Sequence, residues 1–204
     1  MALGDVYATL EQLKSYLGPI NDIVDDDELT DALNSTSRGI EKICHRQFND
    51  AGTASARVYE PSKLDLVRPD DFHTEAGLVV ETDDTDDGTF PTAWAATDFQ
   101  LEPLNGIVDG ENGWPFWKIR AVNSHRFPLD GRRATVRVTA RWGWATVPSP
   151  IKQACLIVAA ETFKLKDAPF GVAGYGEFGA VRIRDNPVAM NKLAPYIRDP
   201  LSVL

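Results

Sequence analysis

The residues most suggestive of a ligand site are Gly174, Gly176 and Gly179, which form a literal G-x-G-x-x-G. In dinucleotide-binding proteins this pattern follows a strand and begins a helix, whose free N–H groups hold the pyrophosphate. Here a predicted helix comes before the glycines and a strand-like stretch, 181–184, follows them. We therefore expect no nucleotide site. Since glycine adopts positive φ readily, we expect segment 171–179 to be a tight loop that is mobile in the free protein and becomes ordered on docking.

A second pattern, rich in aspartate, begins like a calcium-binding loop. Asp83, Thr85 and Asp87 stand at alternate positions, and Gly88 occupies the sixth. The twelfth position, where a calcium loop carries a bidentate glutamate, is Trp94. Because the closing ligand is missing, the sequence predicts an acidic turn at this point.

The remaining residues able to do chemistry are scattered. His45, His73 and His125 lie far apart, and none has a second His or Cys at metal-ligand spacing. Cys44 and Cys155 fall in predicted helices, where we expect buried, reduced thiols. No G-x-S-x-G occurs, so we predict no catalytic residue, no metal and no cofactor. A constellation built from distant residues stays open, but an enzyme is the function least supported.

The tryptophans lie within or beside the central part of the chain, where they have two readings. Core packing is the expectation for Trp117 and Trp142. An exposed pair formed by Trp94 and Trp114 would instead suit a module that binds carbohydrate or a host protein.

Composition excludes further classes of protein. The 204 residues are 43% hydrophobic with a net charge of −9, which argues against a general nucleic-acid-binding protein. The charge is uneven: residues 1–110 are acidic and residues 111–204 are basic, so the acidic part of one copy could meet the basic part of another. We expect no membrane span, since no 18-residue apolar run exists, and no secretion signal.

Periodicity places helices at both ends of the sequence and strands between them. Thr9 and Gln12 form a capping-box pattern, and the acidic run at residues 25–28 suits the start of a second helix. Helices are predicted at 9–17, 27–47, 150–166 and 187–198. Strands are predicted at 56–59, 77–81, 99–102, 117–122 and 134–140. The helix that begins at about residue 150 is apolar on most sides, and we expect it to be central.

Several stretches together resemble a known family. They are residues 7–17 and 26–34 near the start, and Gly143-Trp144, Val147-Pro148, 151–155, 177–182 and 193–196 near the end. In these stretches the chain resembles head–tail connector (adaptor) proteins of long-tailed, siphovirus-like bacteriophages. The matching residues are packing residues, so the resemblance carries no catalytic chemistry.

The resemblance implies a small bundle of about four helices. The strand-like residues between the second and third helices add a β-rich insertion, so the expected fold class is α+β. The expected domains are 1–50 with 142–204 for the bundle and C-terminal tail, and 51–141 for the insertion. Simple members of the family lack a large insertion, so its role is open.

The resemblance also implies a function and partners. The protein would be a structural virion protein of the neck, assembled in the host cytoplasm as a ring of about a dozen copies. It would contact the portal protein and a downstream neck, stopper or tail protein. Genomic DNA would pass through without sequence-specific binding, and no membrane is involved. The alternatives are another neck or tail component, such as a stopper (stoppers are mainly β) or a tail terminator, and the binding module described above.

Interface residues are predicted from the charge pattern, the glycine segment and this resemblance. They are Asp25, Asp26, Asp27, Gly171, Gly174, Tyr175, Gly176, Phe178, Gly179, Arg182, Arg184 and Tyr196.

Overall fold

A computed structural model describes residues 2–18, 25–129, 134–164 and 183–198 of the chain. Helices and antiparallel sheets are both present, which confirms the predicted α+β class. The described residues divide into two compact units. The helical unit takes its residues from 1–49 and 146–199, and the β unit takes its residues from 50–145. The finer prediction, a single four-helix bundle with one insertion, stays a proposal.

The helices of the helical unit begin close to the predicted positions. They are α1 (Leu10–Leu17), α2 (Asp26–Cys44), α3 (Ser149–Lys164) and α4 (Pro187–Leu193). The capping box of α1 is formed: the Thr9 hydroxyl accepts from the Gln12 N–H at 3.2 Å, and the Gln12 side chain accepts from the Thr9 N–H at 2.9 Å. Two of the orphan N–H groups at this helix start are therefore satisfied.

Helix α3 is the centre of the helical unit, because α1, α2 and α4 all pack against it. Its buried residues include Ile151, Cys155 and Val158, together with small alanines that let neighbouring helices approach closely. Helix α2 turns the stripe Leu29, Leu33, Thr36, Ile40 and Ile43 inward, as its spacing predicts. None of the helices in the described ranges is both long and apolar enough to span a membrane.

The β unit is built from short antiparallel strands. They are β1 (Ser55–Tyr59), β2 (Leu66–Val67), β3 (Val79–Thr82), β4 (Thr92–Ala93), β5 (Phe99–Glu102), β6 (Ile107–Val108), β7 (Glu111–Asn112), β8 (Lys118–Ala121) and β9 (Val136–Ala140). One sheet has the order β1-β9-β3-β4, a second has the order β2-β8-β5, and β6 pairs with β7.

Strand β9 is the inner strand that organises the four-stranded sheet. It pairs with β1 on one side, where Val58 faces Arg137, and with β3 on the other, where Val80 faces Val138. Its residues alternate between buried and half-buried, with Val136 and Val138 inside. This confirms the alternation that the sequence predicts, in which Arg137 and Thr139 face outward.

Several boundaries differ from the predictions. Helix α2 ends at Cys44 and not near residue 47, because His45 takes a left-handed conformation with φ 51°. The last helix ends at Leu193 and continues as a 3-10 turn, Ala194–Tyr196, in which Pro195 lacks an N–H to donate.

The strand-like interpretation of residues 181–184 was wrong for Ile183 and Arg184, because residues 183–185 are helical. Their β-branched and arginine side chains suggest a strand, but short-range propensity is a weak guide in so short a stretch.

Strands β2, β4, β6 and β7 are not among the predicted strands. Each has two residues, which is too short for an alternating pattern to be visible in sequence.

Candidate assembly surfaces

The acidic run at the start of α2 is partly used within the helical unit. The carboxylate of Asp26 forms an ion pair with Lys14, which ties α1 to α2. Asp25 precedes the helix without a side-chain capping bond, and its carbonyl accepts from the Leu29 N–H at 3.0 Å. Asp27 is exposed. Of the three predicted interface aspartates, Asp27 is therefore the exposed one, while Asp25 and Asp26 are half-buried.

Two further carboxylates extend this surface. Glu28 and Asp31 are exposed on the first turns of α2, beside Asp27. We call Asp27, Glu28 and Asp31 the acidic edge. Helical spacing could have identified Asp31, since residues four apart share a face. The helix macrodipole favours negative charge at the N-terminal end of α2, so these carboxylates do not destabilise the helix.

The end of the described chain is anchored in the helical unit. Tyr196 is 7% exposed, and its ring meets Phe48 edge-to-face at 5.9 Å between centroids. The Arg198 N–H donates to the Cys44 carbonyl at 2.9 Å. Arg184, by contrast, is exposed. The structure therefore places Tyr196 in the core and Arg184 on the surface, and the two do not share one exposed patch.

The other predicted interface residues lie outside the described residues. They are Gly171, Gly174, Tyr175, Gly176, Phe178, Gly179 and Arg182. The expectation of a mobile docking loop at 171–179 therefore stays a prediction.

An open groove lies between α1 and α3. It has a volume of about 600 Å³ and is lined mainly by apolar surface. Tyr16, which is 55% exposed, stands on one wall, and Leu156 lies on the other. Glu11 and Lys152 supply one charge of each sign at the rim.

The two cysteines, which could act as nucleophiles, are both buried in the core. Burial raises the pKa of Cys44 to about 12 and that of Cys155 to about 11, so both thiols are protonated at neutral pH and are poor nucleophiles. The Cys155 sulfur lies 3.6 Å from the Ser37 hydroxyl in the core. Among the described residues, no group of three or more His, Cys, Asp or Glu side chains could hold a metal ion.

In the aspartate-rich turn, the first carboxylate accepts hydrogen bonds from backbone N–H groups of the turn itself. Asp83 is buried, and it accepts from the N–H groups of Gly88 at 2.7 Å, Thr85 at 3.2 Å and Asp87 at 3.3 Å. Burial alone would raise the pKa of Asp83, but these N–H donors outweigh it and hold the pKa below its usual value. Trp94, at the position of the missing calcium ligand, stacks on Phe127 at 4.5 Å. The hydrogen-bonding capacity of the Asp83 carboxylate is therefore used within the turn.

The tryptophans are mainly core residues of the β unit. Trp142 is 1% exposed and donates to the Ser55 carbonyl at 2.9 Å. Trp144 donates to buried Asp71 at 3.0 Å, and its ring lies 5.0 Å from that of Trp114. Since Trp114 is itself buried, the exposed Trp94–Trp114 pair that a binding module would need is not formed.

Similar folds occur among solved structures of gene transfer agent (GTA) particles. A chain from the neck of an empty gene transfer agent (GTA) particle, computed with C6 symmetry, has a TM-score of 0.55 at 14% identity, over 95% of this chain and 90% of that chain. A chain from the neck of a native GTA particle, computed with C12 symmetry, has a TM-score of 0.50 at 14% identity, over 98% and 96%.

A third chain, from the virion of a native GTA particle, has a TM-score of 0.50 at 17% identity, over 87% of this chain and 88% of that chain. No protein-family model matches the sequence, and no curated protein sequence matches it either. The comparisons establish a shared fold over most of the chain. At the level of fold, they confirm the resemblance to proteins of a particle neck.

Proposed function

We propose that the protein is a structural virion protein of a phage-type neck. In finer detail, it is a head–tail connector that forms a ring under the portal, extends the DNA channel and offers a docking platform to the next neck or tail protein. The observation that carries this proposal is the fold shared with chains of GTA necks over 95% and 98% of this chain. Coverage of this extent includes both the helical unit and the β unit.

The symmetry of those neighbours supports a ring. Their necks were computed with C6 and C12 symmetry, so the similar chains occur in assemblies of repeated copies. A ring of about a dozen identical subunits needs a heterologous interface, in which two different patches of the chain meet. An acidic edge on one copy and basic residues on the next would supply electrostatic complementarity.

The surfaces of the described residues suit assembly better than catalysis. Exposed features of the helical unit include the acidic edge, the open groove between α1 and α3, and Arg184. Acidic residues that face a channel would repel DNA phosphates, so a genome could pass without sticking. Buried Trp114 gives the alternative binding module little support.

The proposal is tested by deleting the gene in the particle-producing cell and examining the lysate by electron microscopy. We expect DNA-filled or leaking heads beside separate, finished tails, because the joint between them would be missing. A plasmid copy of the gene should restore joined particles. Complete particles that fail only to adsorb would overturn the neck assignment and move the function to a host-binding role.

A further inference from the structure

The sequence contains two asparagines that are followed by glycine, Asn105-Gly106 and Asn112-Gly113. This dipeptide is prone to deamidation, because glycine has no side chain that would keep its own backbone nitrogen away from the preceding side-chain amide. Both asparagines are exposed, so exposure does not distinguish them. They differ in the way the β unit holds the peptide group that joins each asparagine to its glycine.

Deamidation at an Asn-Gly dipeptide needs water but no enzyme. The backbone nitrogen of the glycine attacks the side-chain carbonyl carbon (Cγ) of the asparagine. The new N–Cγ bond replaces the bond to the side-chain nitrogen, which leaves as ammonia together with the proton of the glycine N–H. Water then opens the resulting succinimide ring at either carbonyl and gives aspartate or isoaspartate. The reaction is therefore favoured where the glycine N–H makes no hydrogen bond and the peptide group can rotate.

The first dipeptide lies in a 3-10 turn, Leu104–Gly106, which restrains its peptide group. The Gly106 N–H donates to the Pro103 carbonyl at 3.1 Å, and the Gly106 carbonyl accepts from the Trp114 N–H at 3.0 Å. Gly106 is buried, and a Cβ at this position would lie 2.8 Å from the Trp114 carbonyl oxygen. With ψ at 15°, the Asn105 Cβ and the Gly106 nitrogen are far from eclipsed about the Cα–C bond, whereas ring closure brings them together. Rotation of this peptide group therefore breaks a hydrogen bond and moves buried backbone.

The second dipeptide lies at the end of the β6–β7 hairpin, where its peptide group has fewer restraints. Asn112 pairs with Ile107 across the hairpin. The next hydrogen bond between the two sides is made by the Trp114 N–H, so Gly113 is an extra residue, as in a β-bulge. Within the described ranges, no residue accepts a hydrogen bond from the Gly113 N–H. Apart from its chain neighbours, no heavy atom of those ranges lies within 4 Å of the position that a Gly113 Cβ would take.

The peptide group between Asn112 and Gly113 can rotate while the flanking residues stay in place. In such a rotation ψ of Asn112 and φ of Gly113 change in opposite directions, and glycine tolerates the wide range of φ that this requires. Gly113 has φ 88° and is exposed, so the rotating group meets solvent and not packed side chains. The Gly113 nitrogen can therefore approach the Asn112 Cγ in the folded protein.

We propose that Asn112 is a site of spontaneous deamidation in the folded protein, and that the fold protects Asn105 from the same reaction. The reactants are the side-chain amide of this chain and water, so the inference is independent of the neck function. The product adds a negative charge next to Glu111, in a hairpin whose turn already carries exposed Asp109. Isoaspartate also inserts one methylene group into the backbone, which disturbs the pairing of β7 with β6 at Ile107.

The experiment compares the two asparagines in the purified full-length protein, folded and unfolded in urea. Both samples are kept in warm, mildly alkaline buffer, and portions taken over time are digested and analysed by mass spectrometry. A protease that cleaves after glutamate at acidic pH separates the two sites, because Glu111 lies between them. Deamidation is measured as the mass increase that accompanies replacement of the amide NH2 by a hydroxyl.

In urea we expect the two sites to react at similar rates, because both are Asn-Gly dipeptides in an unfolded chain. In the folded protein we expect Asn112 to react within about threefold of its rate in urea, since its peptide group is little restrained. Asn105 should react at least about tenfold more slowly than in urea, because the 3-10 turn must open first. Equal rates at the two sites in the folded protein would overturn the proposal, as would a folded-state rate at Asn112 reduced as much as that at Asn105.

Two variants assign the reaction to one residue. Asn112→Gln should remove the fast mass increase of the folded protein, because glutamine forms the corresponding ring much more slowly. Asn105→Gln is the matched control and should leave the fast mass increase unchanged. Far-UV circular dichroism checks that both variants are folded. A fast mass increase that survives in folded Asn112→Gln would show that the reacting amide lies elsewhere in the chain.

Discussion

One ion pair in the β unit joins residues near the first and last positions of that unit, Asp50 and Arg141. The Arg141 guanidinium donates to both carboxylate oxygens of Asp50, with Nε at 2.8 Å from Oδ1. The Gly52 N–H donates to the same carboxylate at 2.8 Å. The hydrogen bond from Arg141 lowers the pKa of Asp50 most, and burial opposes it. The folded protein therefore holds this carboxylate ionised at a pH where the unfolded chain binds a proton.

The first prediction is made at this scale, for the variant Asp50→Asn. A carboxylate whose pKa is lowered on folding stabilises the protein above the unfolded pKa, about 3.9, and this stabilisation is lost as the pH falls through the folded pKa. We expect Asp50→Asn to lower the urea midpoint at pH 7, with a difference from wild type that shrinks below about pH 4.

The control for this prediction is Glu60→Gln, at an exposed position of the same unit, which should leave the midpoint unchanged at both pH values. A difference for Asp50→Asn that is equally large at pH 7 and at pH 3 would exclude the ionised pair as its source.

At the scale of elements, α4 is stabilised by the capping residue that precedes it and by contacts with α3. The side-chain oxygen of Asn186 (Oδ1) accepts from the Ala189 N–H at 2.8 Å, and its side-chain nitrogen (Nδ2) donates to Glu161 of α3 at 2.6 Å. Pro187 follows at the first helical position, where a missing N–H is harmless. Lys192 adds a bond to Gln153 at 2.7 Å. A helix of seven residues is marginal by itself, so these contacts position it.

The second prediction concerns Asn186→Ala. We expect a loss of about 1 kcal/mol of unfolding free energy, since the cap is removed and the bond to Glu161 goes with it. Amide hydrogen exchange should accelerate in residues 187–193 more than in α3, which keeps its own packing.

The matched variant is Asn191→Ala, in which an exposed asparagine of the same helix is replaced. It should cost little, because alanine is the better helix former. Equal destabilisation by the two variants would argue against a capping role for Asn186.

At the scale of the whole molecule, the arrangement of charge is the property with the widest consequence. The chain carries −9 overall, with acidic residues concentrated before residue 111 and basic residues after it. The structure refines this pattern, because Asp26 is paired with Lys14 while the acidic edge is exposed. Electrostatic complementarity between copies acts on the rate and specificity of association. The acidic edge is thus an exposed, negatively charged part of α2.

The third prediction is that Asp27→Lys with Asp31→Lys reduces the yield of infectious or transducing particles by roughly tenfold or more, the effect of about 1.4 kcal/mol of lost contact energy. Asp26 is left unchanged, so that the ion pair between α1 and α2 survives. The titre of complete particles is the measurement.

Glu60→Lys with Glu111→Lys makes the same change in net charge at exposed positions of the β unit and serves as its control. If both double variants give the wild-type titre, the acidic edge has no part in assembly or DNA passage.

The sequence by itself determined the class of fold and most of the helices. The capping box at Thr9 and Gln12, the stripe on α2 and the apolar run in α3 are local patterns with a period near 3.6 residues, so they can be read without knowing the neighbours. The alternation in β9 is equally local. The packing residues near both ends also sufficed to suggest a neck connector, whose fold the comparisons bear out.

Only the tertiary structure decided which side chains remain available to a partner. The pairing of Asp26 with Lys14 and the burial of Tyr196 against Phe48 depend on residues distant in sequence or on different helices. Val58 and Val79 come to one side of the four-stranded sheet because β9 lies between their strands and pairs with both. The spacing of apolar residues in a sequence indicates which face of a helix or strand is buried. Exposure at a surface depends on long-range pairing, which those patterns do not encode.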